Sequence, residues 1–223
     1  MTATLTGAAA PVPDPHDASR VEAGPDLLRG FNEAGVLGPG EVHVAATLGR
    51  LSGENDPQVL LGVALAVRAP RFGHVCADLA TVRETVTADE DVLGDLERLP
   101  WPSAAVWPEL VARSALVAVG PEAAGGRPLR LIAARLYLDR YWRYERRVVD
   151  ELLRRASPAA RLDTTLLQKG LERLFPPDPG GEQPDRQRMA AAAAVLRRFA
   201  VIAGGPGTGK TTTVARVLAL AEE

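Results

Sequence analysis

The chain has 223 residues, 46% of them apolar and 24% charged, with a formal net charge of −2. That composition excludes a chain disordered throughout and a collagen-like repeat. With no run of eighteen apolar residues free of charge, it also excludes a membrane-spanning helix. The near-neutral balance gives no global field for nucleic acid, so contact with DNA needs a local patch. The single cysteine, Cys76, forbids an internal disulfide. With no basic and apolar leader at its start, the chain is expected to carry no secretory signal and to be cytoplasmic.

Residues 1 to about 25 are small, polar and proline-rich (Pro11, Pro13, Pro15) and read as a disordered tail, because they offer little apolar surface to offset ordering. Asp26 is expected to cap a helix running to about Leu37, with Leu27, Leu28, Phe31 and Val36 as its apolar set. Gly38-Pro39-Gly40 stops it, and a second helix spans about 41–51. Asp56-Pro57 starts a third, since proline at the first helical position loses no needed N–H. It carries Val59, Leu60, Val63, Leu65 and Val67 and ends before Pro70. Residues 73–88 have no decisive pattern, 89–98 and 103–116 read as helices, and 116–119 is a short apolar run. Two alternating runs around Ala133-Ala134 predict a hairpin over 129–138. Leu138, Tyr141, Trp142, Glu145, Val148, Val149 and Leu152 recur at three- and four-residue spacing, which predicts a helix over about 139–155. A further helix near 162–174 groups Leu167, Leu171 and Leu174. Phe175-Pro-Pro-Asp-Pro-Gly-Gly181 reads as linker, with the domain boundary at 176–184. The expected architecture is a mainly α domain over 26–175 with a small β-hairpin, followed over 185–223 by the start of an α/β domain.

The chemistry sits in that last segment. Residues 185–197 read as a helix, and Phe199-Ala-Val-Ile-Ala203 as a short buried parallel strand. Gly204-Gly-Pro-Gly-Thr-Gly-Lys-Thr211 follows at once and leads into a helical pattern from Thr212. Strand, G-x-x-x-x-G-K-[ST] and helix together form the context of a phosphate-binding loop. Its glycines let the backbone approach an anion closely, and successive N–H groups face one concavity at the positive end of the helix. Lys210 would reach the β- and γ-phosphates as a compact charge, and Thr211 would offer a hydroxyl to Mg²⁺. Of the chain's 26 basic residues only Lys169 and Lys210 are lysine, the other 24 being arginine. A longer, planar arginine would fit such a cage poorly. The bland alternative is a glycine-rich turn that binds nothing. Gln187, on the preceding helix, is either a solvated glutamine or an amide able to pair with both edges of adenine.

Other features have two readings as well. Tyr137, Tyr141, Trp142 and Tyr144 stand among Arg135, Arg140, Arg143, Arg146 and Arg147 and could stack on nucleic acid. The duller account has Tyr141 and Trp142 facing the core or a partner, because Val148, Val149 and Leu152 continue the stripe. His74 and Cys76 are two isolated ligand types and read as packing residues. Glu145 reads as the partner of a buried arginine or of a helix terminus.

The run from Gln187 through Phe199-Ala-Val-Ile-Ala-Gly-Gly-Pro-Gly-Thr-Gly-Lys-Thr-Thr212 resembles the first motifs of superfamily 1 DNA helicases, and among them the RecD family of exodeoxyribonuclease V alpha subunits. Phe72-Gly-His-Val-Cys76 and Arg135-Leu-Tyr-Leu-Asp-Arg-Tyr-Trp-Arg-Tyr-Glu145 resemble stretches of that family's N-terminal domain, so the resemblance covers about 26–223. It implies that 185–223 begin a RecA-like domain and that Gln187, matching the Q-motif glutamine, contacts adenine. It further implies that Gly204, Gly205, Pro206, Gly207, Thr208, Gly209, Lys210, Thr211 and Thr212 bind ATP, with Lys210 the catalytic group and Thr211 the Mg²⁺ ligand. The implied activity is a motor moving 5′ to 3′ on single-stranded DNA in double-strand break repair and recombination. Its N-terminal domain would dock on a RecC-like gamma subunit, in an assembly whose RecB-like beta subunit holds the nuclease. Such a motor also needs an acid for Mg²⁺ and water, arginines for the phosphoryl charge and a second lobe. Only 13 residues follow Lys210. The expectation is an N-terminal piece of a helicase subunit that alone neither hydrolyses ATP nor unwinds DNA. Three alternatives stand beside it: a self-sufficient RecD-like helicase, a non-enzymatic docking fragment, and an unrelated AAA-type P-loop ATPase that would need neither Gln187 nor the 135–145 stretch.

Overall fold

Helix α3 (Pro57–Arg68) forms where local signals ask for it: Asp56 Oδ1 accepts the Gln58 N–H at 2.8 Å and Pro57 takes the first helical position. The computed structural model describes residues 19–88, 96–156, 163–176 and 185–222, and the chain divides into two compact units between Tyr144 and Glu145. In the first unit α3 is the centre, buried along Val59–Ala66 and touching α1 (Asp26–Glu33), α2 (Pro39–Ser52), α5 (Trp107–Ala112) and two strands. Pro70 ends it in a 3-10 turn, Ala69–Phe72, closed by Gly73 at φ 76°. Arg68, 7% exposed, is held there by the Val36 and Thr87 carbonyls at 2.7 and 2.6 Å, its guanidinium 3.7 Å from the Phe72 ring.

Residues 1–18 of the expected tail lie outside the described residues. Residues 19–25 are not tail. Val21 is buried and its N–H donates to Asn32 Oδ1 at 2.8 Å, while Asn32 Nδ2 donates to the Ser19 and Leu37 carbonyls at 2.9 and 2.7 Å. One amide with donor and acceptor ends ties three backbone groups together, which composition does not reveal. Helix α1 stops at Glu33, short of Leu37, because Gly35 turns at φ 71° and the Val36 and Leu37 N–H groups both return to the Phe31 carbonyl. Pro25, not Asp26, holds its cap position.

Helix α2 starts at Pro39, with Gly38 as its cap. A Cβ at Gly38 would lie 2.6 Å from Glu41 Oε2 and 2.8 Å from Arg71 Nη1, which itself donates to the other carboxylate oxygen, Glu41 Oε1, at 2.5 Å. The Glu41 carboxylate is buried and its Oε2 has no hydrogen-bond partner among the described residues. Gly38→Ala is therefore expected to destabilise the first unit by no more than about 1 kcal/mol, because both crowded atoms are side-chain ends that can shift and its φ of −82° is open to any residue. A larger loss in urea unfolding would contradict this packing.

The first unit also carries a four-stranded mixed sheet in the order β1-β4-β3-β2, where only a hairpin was expected. Strands β3 (Leu129–Ile132) and β4 (Arg135–Leu138) form that hairpin, turning on Ala133 at φ 53°. Strand β1 (Cys76–Asp78) adds antiparallel to β4 and β2 (Val117–Val119) parallel to β3. Both additions are three residues long, too short to leave a periodicity of their own. A one-turn helix, α4 (Val82–Thr85), follows β1; residues 89–95 lie outside the described residues, and 96–98 form a 3-10 turn. The expected 103–116 helix contracts to α5, whose Trp107 is 1% exposed and donates its indole N–H to the Gln58 carbonyl at 2.9 Å.

Helix α6 (Asp139–Arg155) has the expected bounds; its residues through Tyr144 belong to the first unit and the rest to the second. At its end Arg154 and Arg155 hydrogen-bond Glu151 and hold its carboxyl down at about 2. Helices α7 (Thr164–Leu174), α8 (Arg186–Leu196) and α9 (Lys210–Ala221) complete the second unit, the first two capped by Asp163 and Asp185. Their core is Leu171, Phe175, Ala191 and Leu220, with the Arg216 guanidinium 5.0 Å from the Phe175 ring. Two expectations are corrected here. Phe175, taken as the start of the linker, is 1% exposed, and residues on both sides of 176–184 share one core, so that stretch does not separate two units. Residues 177–184 themselves lie outside the described residues. The second correction is that Phe199–Ala203 forms no strand, and Val201 is 75% exposed. A parallel strand needs neighbours for its ladder, and the second unit has no strand among its described residues.

Candidate functional site

The loop between Gly204 and Lys210 is built by its own backbone. Gly207 and Gly209 take φ of 74° and 76°, the left-handed region closed to most side chains. Thr208 Oγ1 donates to the Gly205 carbonyl at 3.0 Å, so a Cβ on Gly204 would meet that hydroxyl at 2.6 Å. Lys210 opens α9, and its ammonium donates to the Gly204 and Gly205 carbonyls at 2.7 and 2.6 Å. The lysine thus stands inside the curl of its own loop. Pro206 and Gly207 form the turn at the tip, and Thr211 and Thr212 are exposed on the first turn of α9. Thr213, which the motif leaves out, is 2% exposed and ties its hydroxyl to the Gly209 carbonyl at 3.0 Å. The helical phase of the Thr211–Thr213 triplet is the signal that could have found it.

Gln187 approaches from α8. Asp185 Oδ1 accepts the Gln187 and Arg188 N–H groups at 2.8 and 3.1 Å, which fixes the first turn of that helix. The Gln187 amide then donates through Nε2 to the Thr208 carbonyl at 3.2 Å. Gln187, Thr208, Gly209 and Lys210, drawn from 24 residues of sequence, therefore form one cluster. A curl of glycines, an ammonium and the N-terminal end of a twelve-residue helix suit a polyanion. The exposed Thr211 hydroxyl is an oxygen donor of the kind Mg²⁺ accepts.

The other singled-out residues lie elsewhere. Tyr137 is buried and meets Trp142 edge-on at 5.3 Å; Tyr141 and Tyr144 meet at 6.3 Å, with Arg140 4.9 Å over Tyr141. Trp142 thus packs toward the sheet, while Tyr144 is 52% exposed. The stripe does not continue into a core: Val148 is 57% exposed, and with Leu152 and Phe199 it lines a cavity of about 400 Å³ in the second unit. Glu145 Oε2 is buried with no hydrogen-bond partner among the described residues, so no arginine satisfies that oxygen. His74 and Cys76 line a cavity of about 570 Å³ with Arg68, Phe72, Val82 and Val86. Among the described residues no group of three or more His, Cys, Asp or Glu could hold a metal. The two stretches quoted for the N-terminal resemblance are neighbours in the sheet, Cys76 pairing with Tyr137 and Asp78 with Arg135.

Residues 33–137 match the family described as RecBCD enzyme subunit RecD, N-terminal domain. The chain is 44% identical over 201 residues to the RecBCD enzyme subunit RecD of Mycobacterium tuberculosis strain H37Rv, covering 88% of this chain and 30% of that protein. It is 43% identical over 197 residues to the subunit of the same name from Mycolicibacterium smegmatis, covering 88% and 31%. With that of Haemophilus influenzae it shares 38% identity over 99 residues, 43% of this chain and 15% of that protein. The chain spans just under a third of the length of the two mycobacterial relatives.

Proposed function

From the premise that this chain belongs to the RecD family through its N-terminal domain, we propose that it is the N-terminal part of the motor subunit of a RecBCD-type assembly, an ATP-dependent helicase moving 5′ to 3′ on single-stranded DNA in break repair and recombination. The first unit docks on a RecC-like subunit beside a RecB-like one. The second begins a RecA-like domain whose loop, Gly204 to Thr212, holds the phosphates of ATP. The observation that carries the motor reading is the Lys210 ammonium set into its own glycine curl at the start of α9.

The bound Mg²⁺·ATP supplies the phosphoanhydride whose hydrolysis drives such motors. The part of this chain is to grip it. Lys210, now on the two carbonyls, would hold the β- and γ-phosphates and neutralise charge there. The loop N–H groups would orient the chain of phosphates, and the Thr211 hydroxyl would be the ligand offered to the cation. The role proposed for these residues alone is to bind nucleotide without turning it over, since none of the described residues is assigned to activating water. Among the described residues no helix is long and apolar enough to cross a membrane; residence in the cytoplasm is part of this reading.

The partner claim is tested by co-purification of the full-length subunit with RecB-like and RecC-like subunits from the same genome. Recovery of the three together supports the assignment. A lone monomer with full unwinding activity would replace it by the self-sufficient helicase.

A further inference from the structure

The resemblance makes Gln187 a base contact, yet its amide is already engaged with the loop itself. Nε2 donates to the Thr208 carbonyl at 3.2 Å, and a Cβ on Gly209 would meet the same nitrogen at 2.7 Å. The side chain is held from behind: Asp185 caps α8 through the Gln187 N–H, and one turn on, Ala191 is fully buried in the core with Leu220 of α9. The described peptides are all trans, and a trans peptide points its C=O and N–H in opposite directions. A hold on the Thr208 carbonyl therefore turns the Gly209 N–H away from α8, toward the opposite side of the loop. Thr208 and Lys210 side chains, bonded to the Gly204 and Gly205 carbonyls, fix the other limb.

We propose that Gln187 is a positioning residue that holds the phosphate-binding loop in its anion-accepting shape whether or not a base is present. Its donor end serves the loop and its Oε1 is left for the base, so one side chain couples the grip on phosphates to the identity of the nucleotide. This rests on the triphosphate reading of the loop.

The test uses inorganic tripolyphosphate, which has no base, beside ATP, each titrated with Mg²⁺ into the whole chain as wild type, Gln187→Ala and Gln187→Glu. The glutamate variant keeps the size of the side chain and turns a carboxylate toward the Thr208 carbonyl, and melting curves certify that both variants are folded. Both are expected to lose about three- to tenfold in tripolyphosphate affinity, the scale of one hydrogen bond. Without ligand, amide exchange over 205–210 is expected to quicken. Variants that bind tripolyphosphate like the wild type, keep their loop protection and lose only ATP would overturn the proposal and leave Gln187 a reader of the base. A wild type that binds neither ligand would overturn the triphosphate reading itself, a different outcome from the first.

Discussion

Replacing Lys210 by alanine is expected to weaken binding of Mg²⁺·triphosphate by roughly ten- to a hundredfold, the scale of one charge-assisted hydrogen-bonding group. Stability should hardly move, because among the described residues the ammonium bonds only to carbonyls of the exposed Gly204 and Gly205. Lys210→Arg separates charge from shape. The guanidinium keeps the charge but is planar and longer than the curl that the ammonium enters, so it should recover little of the lost affinity. In the full-length subunit, assembled with its partners, Lys210→Ala is expected to abolish translocation while leaving assembly intact. Wild-type translocation by that variant would remove the motor assignment.

Arg130→Leu is expected to cost about 3–5 kcal/mol, the range for breaking a buried ion pair from one side. Arg130 lies in β3, 3% exposed. Its Nε donates to Asp139 at 2.8 Å, Nη1 to the Gly120 and Pro121 carbonyls at 2.7 and 3.2 Å, and Nη2 to the Ala123 carbonyl at 3.0 Å. One guanidinium thus joins the start of α6 to the loop after β2. Leucine would leave three carbonyls and a buried carboxylate short of partners, with only Arg143, at 2.7 Å and 52% exposed, still on Asp139. Arg143→Leu is the control, because a half-exposed partner in water contributes under about 1 kcal/mol. Urea unfolding followed by tryptophan fluorescence reads both. Equal losses from the two variants would contradict the buried role of Arg130.

How far the sequence carried can be seen element by element. Helix α3 was legible at both ends, because Asp56-Pro57 and Pro70 act within a few residues of themselves. The β3–β4 hairpin and the bounds of α6 were legible for the same reason. Strands β1 and β2 were not, since three residues hold no period and their pairing is decided by β4 and β3. The role of Asn32, binding a segment eleven to thirteen residues upstream, is invisible to composition. Phe175 looked like linker because Pro176 follows it, whereas its ring answers to α8 and α9. The run 199–203 has the composition of a buried strand, and composition reports what a segment needs, not whether a neighbour is there. At the site, the glycine pattern with Lys210 could be read as a string. The bond from Gln187 to Thr208 spans 21 residues and exists only once α8 and α9 pack together.

The central claim is that the curl from Gly204 to Lys210 grips the phosphates of a nucleotide. Calorimetric titration of the whole chain with ATP in the presence and absence of Mg²⁺ tests it most directly. The account predicts saturable one-to-one binding, tighter with Mg²⁺ and weakened by Lys210→Ala. Heats that stay at the dilution baseline for the folded wild-type chain, or binding that Lys210→Ala leaves unchanged, would contradict it.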